Sequence, residues 1–342
     1  MPNVGKSTLF NALTKNNILA ANYPFATIEP NTGIVPVPDE RLLVLQKMYD
    51  SSKIVPATVT FVDIAGLVAG ASKGEGLGNQ FLANIRECDA IIHLVRAFEN
   101  TDIVHVTEKI NPKTDIETIN TELALADLQT IEKTLPKLQK EAKADPKKRE
   151  EVSELEKIKD SLEKDTFSQI PTSNVQLLTS KPVIYLFNVD EETLSNEEKL
   201  KDLRELVAPA QSVFVCAKLE EELKDLDQDE AKELLESYGQ SEPGLNQLIH
   251  AAYDTLGLQS YLTAGPKEVR AWTIKKGSTA PQAAGVIHTD FEKGFIAAQV
   301  VNYNDLVAAG SEQAAKSQGK MRTEGKEYVM QPDDVVEFRF NV

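Results

Sequence analysis

The chain has 342 residues, enough for two or three domains that each bury a core of their own. Its formal net charge of −16 excludes a surface that coats nucleic acid broadly, so any contact with RNA must be local. Cys88 and Cys216 lie far apart and outside metal-binding spacing, and we recognise neither a signal peptide nor an apolar run that could cross a bilayer, so we predict a cytoplasmic protein without membrane contact.

A phosphate-binding loop opens the chain. Residues 2–8, P-N-V-G-K-S-T, carry the second half of the Walker A pattern, and an apolar stretch of helical spacing follows. Gly5 allows backbone N–H groups to close around phosphate oxygens, Lys6 reaches the β- and γ-phosphates, and the Ser7 hydroxyl ligates Mg²⁺. A chance G-K-S-T sequence before a helix is the alternative, and three later segments in the expected order argue against it.

The first glycine of the Walker A pattern would stand one position before Met1, preceded by the hydrophobic strand that normally leads into the loop. That strand usually lies at the centre of the parallel sheet. We therefore expect either a truncated chain, with a loop that is held less firmly, or a start that is wrongly assigned.

Residues 22–33, N-Y-P-F-A-T-I-E-P-N-T-G, are punctuated by proline and have neither helical nor strand period. In a nucleotide-dependent switch, such a loop supplies a threonine whose hydroxyl binds Mg²⁺ and whose N–H contacts the γ-phosphate. We predict Thr27 for this role. An ordinary surface connection with a solvent-facing threonine is the alternative.

Residues 58–63 alternate like a strand and lead into D-I-A-G at residues 63–66. Asp63, at the carboxyl end of a parallel strand, can hold Mg²⁺ through water, while the N–H of Gly66 can meet the γ-phosphate. Glycines recur up to residue 78, so this loop can reorganise between states. Leu67 cannot orient the attacking water as the glutamine of conventional GTPases does.

Two amphipathic helices joined by a polar turn are predicted at about residues 115–170, with Pro136 as a candidate for a kink. They form a helical hairpin inserted in the nucleotide domain. The turn at residues 145–149, D-P-K-K-R, is a candidate contact for an acidic partner, and a solvated turn is the alternative.

A buried-strand pattern at residues 181–187 ends in N-V-D-E, where a GTPase carries N-K-x-D. The aspartate of that motif accepts two N–H bonds from guanine. Here the acid is Glu191, one methylene longer, and Val189 replaces the lysine, which argues against guanine specificity. The next strand ends in Cys216-Ala217-Lys218, where the loop that borders the base is expected.

The C-terminal part of the chain has a different sequence pattern from the nucleotide-binding motifs. Short strands are predicted at residues 269–274, 295–301 and 335–340, separated by glycine turns and a small helix near Pro281. The charges of this α+β module give no pattern of a catalytic site, so we interpret it as a binding module.

In combination, the motifs N-V-G-K-S-T, Y-P-F-A-T-I-E-P-N-T-G, D-I-A-G-L-V-x-G-A-S-K-G-E-G-L-G-N-Q-F-L and N-V-D-E resemble the YchF (Obg-like ATPase) family of P-loop NTPases. The stretches V-R-A-W-T-I-K-K-G and T-A-P-Q-A-A-G-x-I-H-T-D-F-E-K-G-F-I resemble that family's ubiquitin-like TGS domain. The resemblance covers essentially the whole chain; Ala26 stands where many members have cysteine. It implies a preference for ATP over GTP, an unconventional hydrolysis mechanism, ribosome binding and stress regulation.

The motifs and the resemblance together assign roles to single residues. Lys6 and His105 are the expected catalytic residues, and a histidine packed at a strand edge is the alternative for His105. Mg²⁺ is expected at Ser7, Thr27 and Asp63. The nucleotide is expected to be bound by Asn3, Val4, Gly5, Lys6, Ser7, Thr8, Gly66, Asn188, Val189, Glu191, Cys216 and Ala217.

The sequence thus predicts an α/β P-loop NTPase domain with a parallel sheet over residues 1–261, with the hairpin inserted, and a β-grasp TGS domain over residues 262–342. We expect a slow Mg²⁺-dependent ATPase that acts as a nucleotide switch, binds the ribosome and regulates translation or a stress response. A GTP-specific translational GTPase and a non-hydrolysing ribosome-binding regulatory protein are the alternatives. Titration with ATP and GTP distinguishes the predicted ATPase from a GTP-specific GTPase. Steady-state phosphate release distinguishes it from a non-hydrolysing protein.

Overall fold

The computed structural model describes residues 4–15, 32–64, 77–98, 110–164 and 175–341. The chain divides into two compact units. The first contains Val62–Leu248 together with the loop and helix at residues 4–15, and the second contains Gly33–Phe61 and Ile249–Val342.

The helices of the described residues are α1 (Lys6–Lys15), α2 (Arg41–Tyr49), α3 (Leu77–Glu87), α4 (Pro112–Glu141), α5 (Pro146–Glu163), α6 (Glu191–Leu194), α7 (Glu197–Glu205), α8 (Ala217–Glu222), α9 (Gln228–Ser237), α10 (Gly244–Thr255), α11 (Ala280–Ile287), α12 (Thr289–Lys293), α13 (Tyr303–Ala309) and α14 (Glu312–Ser317). The strands are β1 (Thr32–Pro36), β2 (Ile54–Val55), β3 (Thr58–Val62), β4 (Ile91–Ala97), β5 (Val183–Val189), β6 (Gln211–Val215), β7 (Leu258–Ala264), β8 (Val269–Lys275), β9 (Phe295–Asn302), β10 (Arg322–Glu324) and β11 (Asp334–Phe340). None of the helices in this part of the chain has the length and apolar character needed to cross a membrane.

The first unit contains a parallel sheet of order β4-β5-β6. β5 is buried along nearly its whole length, which explains its unbroken apolar sequence, because a central parallel strand is covered on both faces. One face of the sheet packs Phe187 against Phe214, with ring centroids 5.5 Å apart. Parallel strands end at the same edge, so the polar residues that follow β5 and β6 lie side by side.

The helical hairpin consists of α4 and α5. Asn111 caps α4 by accepting from the N–H of Thr114, and Asp145 caps α5 by accepting from the N–H of Lys147. α4 continues through Pro136 to its end at Glu141. Ile131 of α4 and Ile158 of α5 are fully buried in the core between the helices.

The basic residues predicted for the turn of the hairpin lie in the first turn of α5 and contact the hairpin itself. Lys148 lies 3.1 Å from a carboxylate oxygen of Glu151, and the Nε of Arg149 donates to the carbonyl of Ala142 at 3.1 Å. Residues 145–149 are therefore the N-cap and first turn of α5, and the predicted polar turn lies just before them, at residues 142–144.

The second unit contains a six-stranded mixed sheet of order β10-β9-β11-β7-β8-β2. β9 and β11 are antiparallel, as are β7 and β8, while β11 runs parallel to β7 and β2 parallel to β8. α11 covers one face with small residues: Ala284 of the helix and Tyr261 and Val300 of the sheet are all completely buried.

This division differs from the predicted boundary at residues 261 and 262, because Gly33–Phe61 joins the C-terminal strands. The N–H of Val269 donates to the carbonyl of Lys53 at 2.9 Å, and the hydroxyl of Ser51 donates to the carbonyl of Gly265. These bonds make β2 the edge strand of the C-terminal sheet. A two-residue strand has no periodicity that a sequence pattern can reveal.

Candidate functional site

The phosphate-loop segment turns directly into α1. Val4 is buried. Gly5 has a φ of +92°, a backbone conformation that residues other than glycine rarely adopt. The N–H of Leu9 donates to the carbonyl of Gly5 at 3.0 Å, which begins the helix. The N–H groups of the first helical turn have no partner within the helix, so they are available to phosphate oxygens.

Asn188 joins this loop to the segment that follows β6. Its Nδ2 donates to the carbonyl of Val4 at 3.1 Å, and its Oδ1 accepts from the N–H of Ala217 at 3.3 Å. A Cβ added at Gly5 would lie 2.6 Å from the Asn188 Nδ2, so the glycine also makes room for this side chain. Asn188 is 3 % exposed, and we name these contacts the Asn188 clamp. Three segments predicted to meet at the nucleotide are therefore brought together.

Lys6 and Asp63 also meet, as the phosphate-loop and strand-end motifs require. The Nζ of Lys6 lies 2.6 Å from a carboxylate oxygen of Asp63 and donates to the carbonyl of Ile64 at 2.8 Å. The ammonium group is thereby held beside the loop, between the start of α1 and the end of β3.

The residues present fit a magnesium ion. Ser7 offers an exposed hydroxyl in the first turn of α1, and Asp63 offers a carboxylate that contacts the neighbouring Lys6. Hard oxygen donors in this small number suit Mg²⁺, which enters phosphoryl-transfer sites with one or two protein oxygens, the substrate phosphates and water. Within the described ranges, no cluster of three or more His, Cys, Asp or Glu side chains could hold a metal by itself.

The segment after β5 divides its side chains between the core and the surface. Val189 is 2 % exposed and packs in the core beside Phe187, so it can meet a nucleotide only through its backbone. Asp190 caps α6 by accepting from the N–H of Thr193 at 2.8 Å. Glu191 is partly exposed, and its Oε1 accepts from the Nζ of Lys218 at 2.8 Å.

The segment after β6 likewise has one side chain in the core and one at the surface, those of Cys216 and Lys218. Cys216 is buried, and burial raises the pKa of its thiol, so this side chain is an uncharged core residue. Ala217 takes part through its backbone N–H. The sequence placed Lys218 only in the segment expected to border the base and did not predict its ion pair, because its partner Glu191 is 27 positions away and no local pattern connects the two.

Four predicted site residues lie outside the described residues: Asn3, Thr27, Gly66 and His105. Among the described ones, the structure brings together Val4, Gly5, Asn188 and Ala217 in one group and Lys6 and Asp63 in another.

Two family models match the chain. One, described as a 50S ribosome-binding GTPase, matches residues 1–140, and another, named YchF-GTPase_C and described as a protein of unknown function, matches residues 258–341.

Full-length relatives agree with these models. The chain is 55% identical to a protein named ribosome-binding ATPase YchF from Haemophilus influenzae and 51% identical to one of the same name from Bacillus subtilis, in each case over 100% of this chain and 98% of the relative. A solved structure of the Schizosaccharomyces pombe YchF GTPase has a TM-score of 0.85 and 40% identity, covering 99% of this chain and 96% of that one. A GTP-binding protein from Pyrococcus horikoshii, at 21% identity and a TM-score of 0.57 over 100% and 98% of the two chains, shares the fold.

Proposed function

The chain belongs to the YchF family, and from this premise we propose that it is a ribosome-binding P-loop ATPase that works as a slow, Mg²⁺-dependent nucleotide switch. The observation that carries the proposal is the Asn188 clamp, because it ties the phosphate loop at Val4 to the segment after β6 at Ala217. One nucleotide can then contact both segments with its phosphates and its base.

The phosphate end of the nucleotide is assigned to the phosphate loop. The phosphate oxygens are proposed to bind the ammonium of Lys6 and backbone N–H groups of the first turn of α1, with Asn3 and Thr8 in the same phosphate loop. Ser7, Thr27 and Asp63 are the proposed protein oxygens for Mg²⁺. When bound, Mg²⁺ neutralises charge that develops on the phosphates during transfer.

His105 is proposed to orient the attacking water, since Leu67 has no polar group and another residue must take that role. The variant His105→Ala should lower turnover while ATP affinity stays nearly unchanged. Single-turnover phosphate release with separately measured ATP binding is the assay, and unaltered turnover would remove His105 from the mechanism.

We propose adenine as the preferred base, because the acid of N-V-D-E is one methylene longer than a guanine-pairing aspartate and its carboxylate contacts Lys218. Titration with ATP and GTP in the presence of Mg²⁺ tests this. A wild-type affinity tenfold higher for GTP, about 1.4 kcal/mol, would contradict it. Absence of any steady-state phosphate release would instead favour a non-hydrolysing regulatory protein.

The C-terminal unit is proposed as a TGS-type binding module. Ribosome binding would place the protein in the cytoplasm and allow it to regulate translation or a stress response. Co-sedimentation with ribosomes, with and without MgATP, is the direct test. A protein that never enters the ribosome pellet in any nucleotide state would contradict this part of the proposal.

A further inference from the structure

One ion pair spans the two segments that we assign to the base. Lys218 follows Ala217, whose N–H binds Asn188, and Glu191 opens α6 three positions after Asn188. The Nζ of Lys218 lies 2.8 Å from the Oε1 of Glu191, and Glu222, one turn further along α8, is 3.8 Å from the same Nζ. The lysine is thus held on the carboxylate that stands where a guanine-pairing acid would be.

The chemistry of the two bases gives this contact a consequence. Guanine presents N–H donors at N1 and at its 2-amino group, so a bare carboxylate attracts it, whereas N1 of adenine is an acceptor that a bare carboxylate repels. A lysine that occupies one carboxylate oxygen leaves guanine without a bidentate acceptor. The same positive charge offsets the repulsion between the carboxylate and adenine.

We propose that Lys218 is a specificity-determining residue, which favours adenine by occupying and neutralising the carboxylate of Glu191. This inference rests on the proposed ATPase function and deepens it. Part of the preference for adenine then comes from Lys218, which competes with guanine for the Glu191 carboxylate, and part comes from the longer side chain of Glu191.

The size of the effect follows from exposure. The side chain of Lys218 is 69% exposed and that of Glu191 is 32% exposed, so the pair is screened by water and salt. We expect Lys218→Ala to shift the ratio of GTP affinity to ATP affinity about threefold to fivefold towards GTP, which corresponds to the upper end for an exposed ion pair. Added salt should shift the wild-type ratio in the same direction by a smaller factor.

The test is a double-mutant cycle with the mant derivatives of ADP and GDP and with unlabelled ATP and GTP as competitors. Lys218→Ala, Glu191→Gln and the double variant are compared with wild type. In the Glu191→Gln background, removing Lys218 should leave the ratio unchanged, because no carboxylate remains to be released. Lys201→Ala, which removes an exposed lysine 3.9 Å from Glu205 on α7, is the control for net charge.

The outcomes separate this inference from the proposed function. If wild type prefers ATP and Lys218→Ala leaves the ratio unchanged, the role of Lys218 is overturned while the ATPase assignment stands. The role is also overturned if the ratio shifts equally with and without Glu191. A wild-type preference for GTP would overturn the proposed function itself.

Discussion

Gly5 and Asn188 depend on each other. The φ of +92° at Gly5 suits glycine, and the space that a Cβ would fill is occupied by the Asn188 side chain, whose Nδ2 donates to Val4. A substitution at Gly5 therefore strains the loop and also displaces the group that ties it to Ala217. The backbone conformation and the clamp are two separate requirements at one position.

We predict that Gly5→Ala lowers ATP affinity at least tenfold, because the added Cβ would lie 2.6 Å from the Asn188 Nδ2. Gly239→Ala is the matched control: its φ is +70°, yet a Cβ there meets nothing within 4 Å. That variant should lose about 1–2 kcal/mol of stability from backbone strain and keep its ATP affinity. Calorimetric ATP titration and thermal unfolding of both variants are the measurements. Equal losses of affinity would show that strain alone, without the clamp, explains the effect.

At the scale of an element, the first turn of α10 donates a hydrogen bond to the buried carboxylate of Glu220. Glu220 is 5 % exposed, and its Oε1 accepts from the N–H of Leu245 in the first turn of α10 at 3.3 Å. Burial raises the pKa of Glu220 from 4.5 to about 7, and the hydrogen bonds from the N–H groups of Leu245 and Gly244 oppose this rise only in part. The folded protein therefore binds a proton at Glu220 that the unfolded chain releases at lower pH.

The raised pKa of Glu220 makes the folded state less stable as the pH rises. Because the carboxyl pKa is higher in the folded state, the stability that it contributes is fully present below pH 4.5 and is lost as the pH rises to about 7. We predict that Glu220→Gln removes this part of the pH dependence and raises stability at pH 8 relative to wild type, by at most about 3 kcal/mol. Urea unfolding from pH 5 to pH 8 is the measurement, with the exposed neighbour in Glu221→Gln as control. Parallel pH profiles for wild type and Glu220→Gln would refute the assignment.

The sequence predicted those features whose residues are contiguous. Lys6, Asp63 and Asn188 each stand in a short motif at the end or start of an element. Asn188 ends a strand of the parallel sheet, whereas β3, which precedes Asp63, pairs with β1 in a separate two-stranded sheet. The strands β5, β8, β9 and β11 were likewise predicted from short strand patterns in the sequence. What depends on distant partners was missed: β2 is too short for a pattern, Glu220 gains its role only from Leu245, and Lys218 only from Glu191.

At the scale of the whole molecule, nucleotide binding acts on stability by mass action. Ligand that binds only the folded chain stabilises it by about 2.7 kcal/mol at a hundred times Kd. We predict that MgATP at this concentration slows amide hydrogen exchange of β4, β5 and β6, because the Asn188 clamp connects the loop to the ends of β5 and β6. GTP at the same concentration should protect these strands less.

Lys6→Met is the control for this measurement, since it removes the ammonium group that we assign to the phosphates and leaves a side chain of similar length. MgATP should then give little protection. Protection of equal size in wild type and Lys6→Met would contradict the assignment of Lys6 to the nucleotide.

The pairing of β2 with β8 determines when the second sheet can be completed during translation. Ile54 lies opposite Val269, and Val55 opposite Arg270, so an early segment of the chain completes a sheet whose other strands are translated roughly 200 residues later. At about 5–20 residues per second, β2 waits on the order of 10–40 s for its partner. During that interval Gly33–Phe61 has been translated, while the strands it joins have not. The second unit is therefore finished only after the first has been synthesised in full, and a chain stalled before Val269 exposes the unpaired edge of β2 to chaperones and to other nascent chains.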